Sequence, residues 1–238
     1  MKIALIGYGK MGQEVEKVLL KRGHDIFVKG TSKSPLFRKD LEGADVAIEF
    51  SRPESAVQNL IECFNAKTPV ISGTTGWYER LPEVRSICAE YDGALFYASN
   101  FSLGVHIFQF VNRFLAKCMK DFGEYQPSIT EIHHKEKLDA PSGTAITSAE
   151  VMLDELSNWD DWTMNETQSD KLLITAERKP DVKGIHILSY TSDIDIIELK
   201  HEAHSRKGFA LGAVKAAEWI KNKKGVYSMQ DMLKLEHI

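Results

Sequence analysis

The chain has 238 residues, 43% hydrophobic and 27% charged, with a formal net charge of −4. That is enough to bury a substantial core in one large domain or two smaller ones. The mild acidity excludes the strongly basic footprint of a nucleic-acid binder, and no stretch approaches the length of a transmembrane helix, so no membrane partner is expected. Cys63, Cys88 and Cys118 are widely spaced without a CxxC pair. That pattern predicts reduced thiols of a cytoplasmic protein, each a small buried residue in a helix. The apolar run in MKIALIGYG is interrupted by glycines too soon for a signal peptide.

Residues 2 to 6 predict a buried parallel strand. Gly7-Tyr8-Gly9-Lys10-Met11-Gly12 follows, and then a helical pattern through Val15, Val18 and Leu19. Gly7 suits a tight turn, Gly9 a close approach of pyrophosphate to the backbone, and Gly12 close packing of helix on strand. Free N–H groups at the helix start would receive the phosphates. Further strands are expected at 25–28, 45–50, 69–72 and 94–98, alternating with helices at 54–65 and 81–91. Such alternation predicts a doubly wound parallel sheet of the Rossmann type. Three loops fall at its ligand-binding edge: residues 50–53, 73–76 and 99–102, all rich in small polar side chains. An acidic residue at the end of the second strand would select NAD, but Lys29-Gly30-Thr31-Ser32-Lys33 stands there instead. The reading leans to NADPH, with Lys10, Lys29 and Lys33 toward the 2′-phosphate, and leaves NADH open.

After a helix at 103–119 and a strand at 128–132 comes Glu131-Ile132-His133-His134-Lys135-Glu136-Lys137-Leu138-Asp139-Ala140-Pro141-Ser142-Gly143-Thr144-Ala145. Ser142 or Asp139 would cap a helix running through Ile146, Val151 and Leu156. The Gly143 and Thr144 amides then favour an anion, a small carboxylate above all, between the helix start and the cationic side chains. Adjacent histidines on a strand point to opposite faces, so His133 and His134 make a poor metal pair, as do His201 and His204, and no metal is expected. A solvated basic hairpin is the rival reading. Strands at 171–177, 184–191 and 195–204 would join the one at 128–132 in an open sheet of about four strands. The polar stretch 158–170 reads as an excursion, and a helix at 208–223 returns to the first domain. Domain boundaries are thus 1–102 completed by 207–238, and 103–206, with crossings near Ser102 and Lys207. Arg206 at the second crossing suits either a bridge or a surface salt bridge.

The run EIHHKEKLDAPSGTA resembles the signature of the 4-hydroxy-tetrahydrodipicolinate (dihydrodipicolinate) reductase family. GYGKMG, EFSRPES, SGTTGW, YASNFSLGV and HEAHSRKGFALGAV extend the resemblance over nearly the whole chain. It implies a two-domain α/β protein whose smaller α+β domain has a mixed sheet, binds substrate and mediates a homotetramer. It implies hydride transfer from NADPH or NADH to a cyclic imine dicarboxylate. By position it gives His133 an acid/base role and makes Lys137 the proton donor. His134, Ser142, Gly143 and Thr144 become substrate contacts. The dinucleotide falls to Gly7, Gly9, Lys10, Met11, Gly12, Gly73, Thr74, Thr75, Ala98, Ser99, Asn100 and Phe101. Chemistry agrees: charge gathers on the ring nitrogen as hydride adds, and Lys137, a cation among cations, is placed to protonate it. Glu177-Arg178-Lys179-Pro180 departs from the family's Arg-Glu-Gly order, so no ligand role is assigned to Arg178. A two-domain dehydrogenase for an amino-acid semialdehyde or an imino acid and a non-catalytic dinucleotide sensor are the rivals.

Overall fold

The structure, a computed structural model, describes residues 1–165, 170–205 and 207–234. Arg206 lies outside them. The chain forms two compact units, Met1–Leu103 with Arg206–Ile238, and Gly104–Ser205. Among the described residues no helix is long and apolar enough to cross a membrane.

In chain order the first unit contains β1 (Lys2–Ile6), α1 (Lys10–Lys21), β2 (Asp25–Gly30), α2 (Arg38–Leu41), β3 (Val46–Glu49), α3 (Pro53–Asn65), β4 (Val70–Ser72), α4 (Leu81–Glu90) and β5 (Ala94–Tyr97). The second unit holds nearly all of α5 (Leu103–Met119), then β6 (Gln126–His133), α6 (Gly143–Leu153), β7 (Asp161–Thr163), β8 (Lys171–Arg178), β9 (Ile185–Thr191) and β10 (Ile196–Glu202). The first is completed by α7 (Lys207–Ile220), β11 (Gly225–Tyr227) and α8 (Met229–Leu233).

The six strands β11-β5-β4-β3-β1-β2 are all parallel. Successive strand residues feed opposite faces. Ile3, Leu5, Val46, Ile48 and Phe96 pack with Val15 and Leu19 of α1 and with the alanine-rich face of α7. Ala4, Ile6, Ala47, Val70 and Leu95 pack with α3 and α4. Helices on both faces make the sheet doubly wound, as the alternating pattern predicts. The strand order reverses direction between β1 and β3, and this switch point is where ligands of such sheets bind. Sequence reasoning missed β11, a three-residue strand beyond α7, and the short α2 and α8, which are too brief to show periodicity.

In the second unit the sheet order is β10-β9-β6-β8-β7. β6 and β7 run parallel to β8, and β9 runs antiparallel to β6 and β10. The sheet is mixed as expected, but it has five strands rather than about four, because Asp161–Thr163 pairs with β8 inside what reads as an excursion. Residues 166–169 of that excursion lie outside the described residues. One sheet face is covered by α5 and α6 through Phe108, Ala116, Ala145, Ala149 and Met152. α6 ends at Leu153, short of Leu156. Cys63 and Cys88 are buried, whereas Cys118 is exposed on the solvent side of α5, correcting the expectation of three core thiols.

Candidate active site

The first unit places its glycine turn at the switch point. Gly7 adopts φ +91, and a Cβ there would run into the Phe50 carbonyl of the loop after β3. A Cβ on Gly12 would collide with the Gly7 carbonyl, so α1 closes onto β1 only through glycine. Over Gly9 there is open space, and no side chain caps α1 at that residue. Lys10 is exposed and Met11 half-buried in the first turn. Free helix amides facing open space fit the pyrophosphate of a dinucleotide.

A buried carboxylate organises the neighbouring loops. Glu49 is fully buried at the end of β3. It accepts hydrogen bonds from the Ser51 amide and hydroxyl, from Ser72 Oγ at 2.7 Å and from Thr74 Oγ1 at 2.9 Å. The Ser51 and Thr74 hydroxyls therefore tie their loops to Glu49 at the sheet edge. Gly73 is half-buried, and Thr75 and Ser99 are exposed. Ala98 and Phe101 belong to the core, Phe101 stacking on Phe96, so any cofactor contact there falls to their backbone. Asn100 Oδ1 accepts from the Ser102 amide at 2.7 Å and fixes that turn. Lys29 at the end of β2 pairs with Glu16 at 2.6 Å and lies over the Tyr8 ring.

In the second unit, strand register builds the site. The buried face of β6 carries Pro127, Ile129, Glu131 and His133, so it turns from apolar to ionisable at its C-terminal end. Register sets His186 of β9 opposite Glu131 and Arg178 of β8 opposite His133. Glu131, with no solvent exposure, accepts from the Ser142 amide at 3.0 Å and from both terminal nitrogens of Arg178 at 3.3 Å. Its carboxylate lies 3.5 Å from His133 Nδ1, and the His133 and His186 rings meet edge to face at 5.1 Å. Ser142 Oγ accepts from the Ala145 amide as N-cap of α6 and shares a hydrogen bond with His186 Nε2 at 3.2 Å. With its amide and hydroxyl both engaged and 3% exposure, Ser142 lines the buried side of the site at the start of α6. Gly143 is exposed and Thr144 half-buried at the opening of α6.

Burial pushes the His133 imidazole below its ordinary range, opposed by Glu131 and assisted by Lys137, Arg178 and His134. His186 is pushed down to about 4, mainly by burial and then by His133. Both are neutral near pH 7. His134 faces outward, its Nδ1 3.0 Å from Glu136. Lys137 Nζ sits on both Asp139 oxygens, at 2.8 and 2.7 Å, so it is not solely a cation among cations. Glu131, His133 and His186 have the spacing of a metal triad. However, the guanidinium and the amide already engage both Glu131 oxygens, and a second cation there would be repelled by Arg178. Glu131, Arg178 and His186 escaped sequence reasoning. The period-2 pattern of β6 contains the signal for Glu131, but the partnership with β8 and β9 is long-range.

Family descriptions cover both units. One described as "Dihydrodipicolinate reductase, N-terminus" matches residues 1–101, and one described as "Dihydrodipicolinate reductase, C-terminus" matches residues 104–233. The chain is 46% identical over 235 residues to a 4-hydroxy-tetrahydrodipicolinate reductase of Christiangramia forsetii, covering 98% of each chain. It is 35% identical over 246 residues to the protein of that name from Staphylococcus carnosus, covering 98% of this chain and 99% of the relative. In fold it is similar to a dipicolinate-bound dihydrodipicolinate reductase from Paenisporosarcina sp. TG-14, with TM-score 0.78, 20% identity and coverage of 98% and 99%.

Proposed function

The chain belongs to the dihydrodipicolinate reductase family, and we propose that its two units divide the reduction of 4-hydroxy-tetrahydrodipicolinate to tetrahydrodipicolinate between dinucleotide binding and proton delivery. It is an NAD(P)H-dependent oxidoreductase of diaminopimelate and lysine biosynthesis. The dinucleotide is held by the Gly7–Gly12 turn, by the loops at Gly73, Thr75 and Ser99, and by the backbone at Ala98, Asn100 and Phe101. When bound, it supplies the hydride.

In the second unit, the Gly143 and Thr144 amides at the start of α6, together with His134, hold the substrate carboxylates. The substrate hydroxyl leaves as water, and Lys137 gives its proton to the ring nitrogen as the hydride adds and negative charge gathers there, with Asp139 holding the ammonium in place beforehand. His133, neutral at pH 7, accepts or relays a proton instead of storing one. The observation that carries this reading is the Lys137 ammonium on a short loop between buried His133 and an anion-favouring helix start. The test is oxidation of NADPH or NADH by the purified chain. Its substrate is generated in situ from pyruvate and aspartate semialdehyde. Dinucleotide-dependent turnover is expected, and dinucleotide binding without turnover would return weight to a sensor.

For the cofactor we favour NADPH. The Lys29–Glu16 pair is 39% exposed at lysine, and such pairs contribute little, so a 2′-phosphate can take Glu16's place on Lys29. Lys29→Ala is expected to raise KM for NADPH about tenfold, one charge–phosphate contact, and to leave KM for NADH nearly unchanged. Equal changes for both cofactors would remove Lys29 from the phosphate site. A homotetramer in the cytoplasm completes the proposal. The support for assembly is β10, whose Ile196 and Ile197 are exposed at the sheet edge, with Ile194 in the turn before it.

A further inference from the structure

Lys137 lies on an irregular segment, residues 134 to 142, between β6 and α6. A loop that must deliver a proton to one atom needs a fixed height, and few of its own groups provide it. The Lys137 amide bonds the His134 carbonyl at 3.2 Å. Carbonyls of the loop are held by a side chain of β8. Arg178 Nε donates to the Lys137 carbonyl at 3.3 Å, and Arg178 Nη2 donates to the Asp139 carbonyl at 2.6 Å. Both terminal nitrogens also reach Glu131, which takes the Ser142 amide on its other oxygen. One buried carboxylate and one guanidinium thus tie together the backbone at Lys137, the backbone at Asp139, the start of α6 and the flank of His133.

We propose that Glu131 and Arg178 are positioning residues for the reduction, a clamp of one buried and one half-buried side chain that sets the Lys137 loop against His133 and the start of α6. Only a guanidinium has enough donors in one plane to serve two carbonyls and a carboxylate at once. The clamp also explains why a carboxylate is kept fully buried beside two neutral histidines. Glu131 alone among the groups facing His133 favours its protonated form, while Lys137 and His134 of the loop, Arg178 of β8 and His186 of β9 bring positive charge or donors. The kinetic meaning of the clamp rests on the reductase reading; its geometry does not.

The test uses the full chain with Glu131→Gln, Arg178→Gln, Arg178→Lys and the Gln/Gln double variant. Each Gln variant is expected to lose kcat about 30-fold, somewhat less than the ~10²-fold that a 1 Å misplacement costs. KM for the dinucleotide should stay within about twofold, since its groups lie in the first unit. Because the two residues act as one device, the double variant should be no more than about threefold worse than the poorer single one. Arg178→Lys keeps the charge opposite Glu131 and should stay folded, yet it should lose kcat because it cannot serve both carbonyls. The His133 limb of the pH profile should move down in Glu131→Gln and up in Arg178→Gln, an opposition that simple loss of structure would not produce. Full activity in Arg178→Lys, or losses that multiply in the double variant, would overturn the clamp. Hydrogen exchange at the Lys137 and Ser142 amides gives an arm independent of turnover. Faster exchange in the Gln variants supports the clamp, and unchanged exchange overturns it, even if wild type fails to reduce the imine and the functional reading falls.

Discussion

Lys137→Ala should lower kcat by about 10²- to 10⁴-fold, the usual contribution of a positioned proton donor, without unfolding the chain. Three features separate the chemical loss from a structural one. The loop is held through the Lys137 amide and carbonyl, which alanine retains. The side chain's partner, Asp139, is 61% exposed, so breaking that pair costs little stability. The groups proposed for the dinucleotide belong to the other unit, so affinity for the cofactor, followed by its fluorescence, should match wild type. Single-turnover rates with saturating cofactor would isolate the chemical step. If those rates stay within a few-fold of wild type, the ring nitrogen receives its proton elsewhere, and His133 becomes the first candidate donor. Removal of Lys137 also frees Asp139, which stays solvated and should not disturb the buried cluster.

Much of this arrangement is legible in the sequence because its signals are local. Alternation of apolar runs with helical periods gives the first unit, and the glycine turn is read from its local spacing: Gly12 answers to the Gly7 carbonyl within one strand–turn–helix, while the Phe50 carbonyl that excludes a side chain at Gly7 comes from the loop after β3. The run from His133 to Thr144 is likewise contiguous; residue type narrows its helix cap to Ser142 or Asp139, and the structure selects Ser142. What stays hidden depends on pairing at a distance. His186 is an ordinary strand residue until β9 lies antiparallel to β6 in the register that sets it opposite Glu131. Arg178 follows a bend whose residue order departs from the family pattern, yet its side chain is fixed by carbonyls 39 and 41 residues away. Thr74 looks like a ligand-binding hydroxyl because it stands in a polar loop at the right sheet edge, but the buried Glu49 claims it. Polar loops advertise a site. Which of their hydroxyls face inward depends on a carboxylate that the same sheet buries.

The second large effect concerns acid. His186 titrates at about 4 in the folded protein against an ordinary 6.5, so between those values the unfolded chain binds a proton that the native state refuses. Stability therefore rises with pH across this window. It is complete above about pH 6.5 and drains away as pH falls toward 4, a loss of about 3 kcal/mol at 1.36 kcal/mol per unit. Ser142, Glu131, His133, His201 and Lys137 surround the ring, and of these only the Glu131 carboxylate favours its protonation. Urea unfolding from pH 7 to 4.5 should show the decline in wild type, with His133 adding to it in the same direction. His186→Gln should have a visibly flatter profile, because its slope no longer contains that proton, whatever the substitution does to stability at pH 7. Parallel slopes in the two proteins would mean that His186 charges readily in the native state. The hydrogen bond between His186 Nε2 and Ser142 Oγ would then survive acid, with the charged ring as donor and the cap hydroxyl as acceptor.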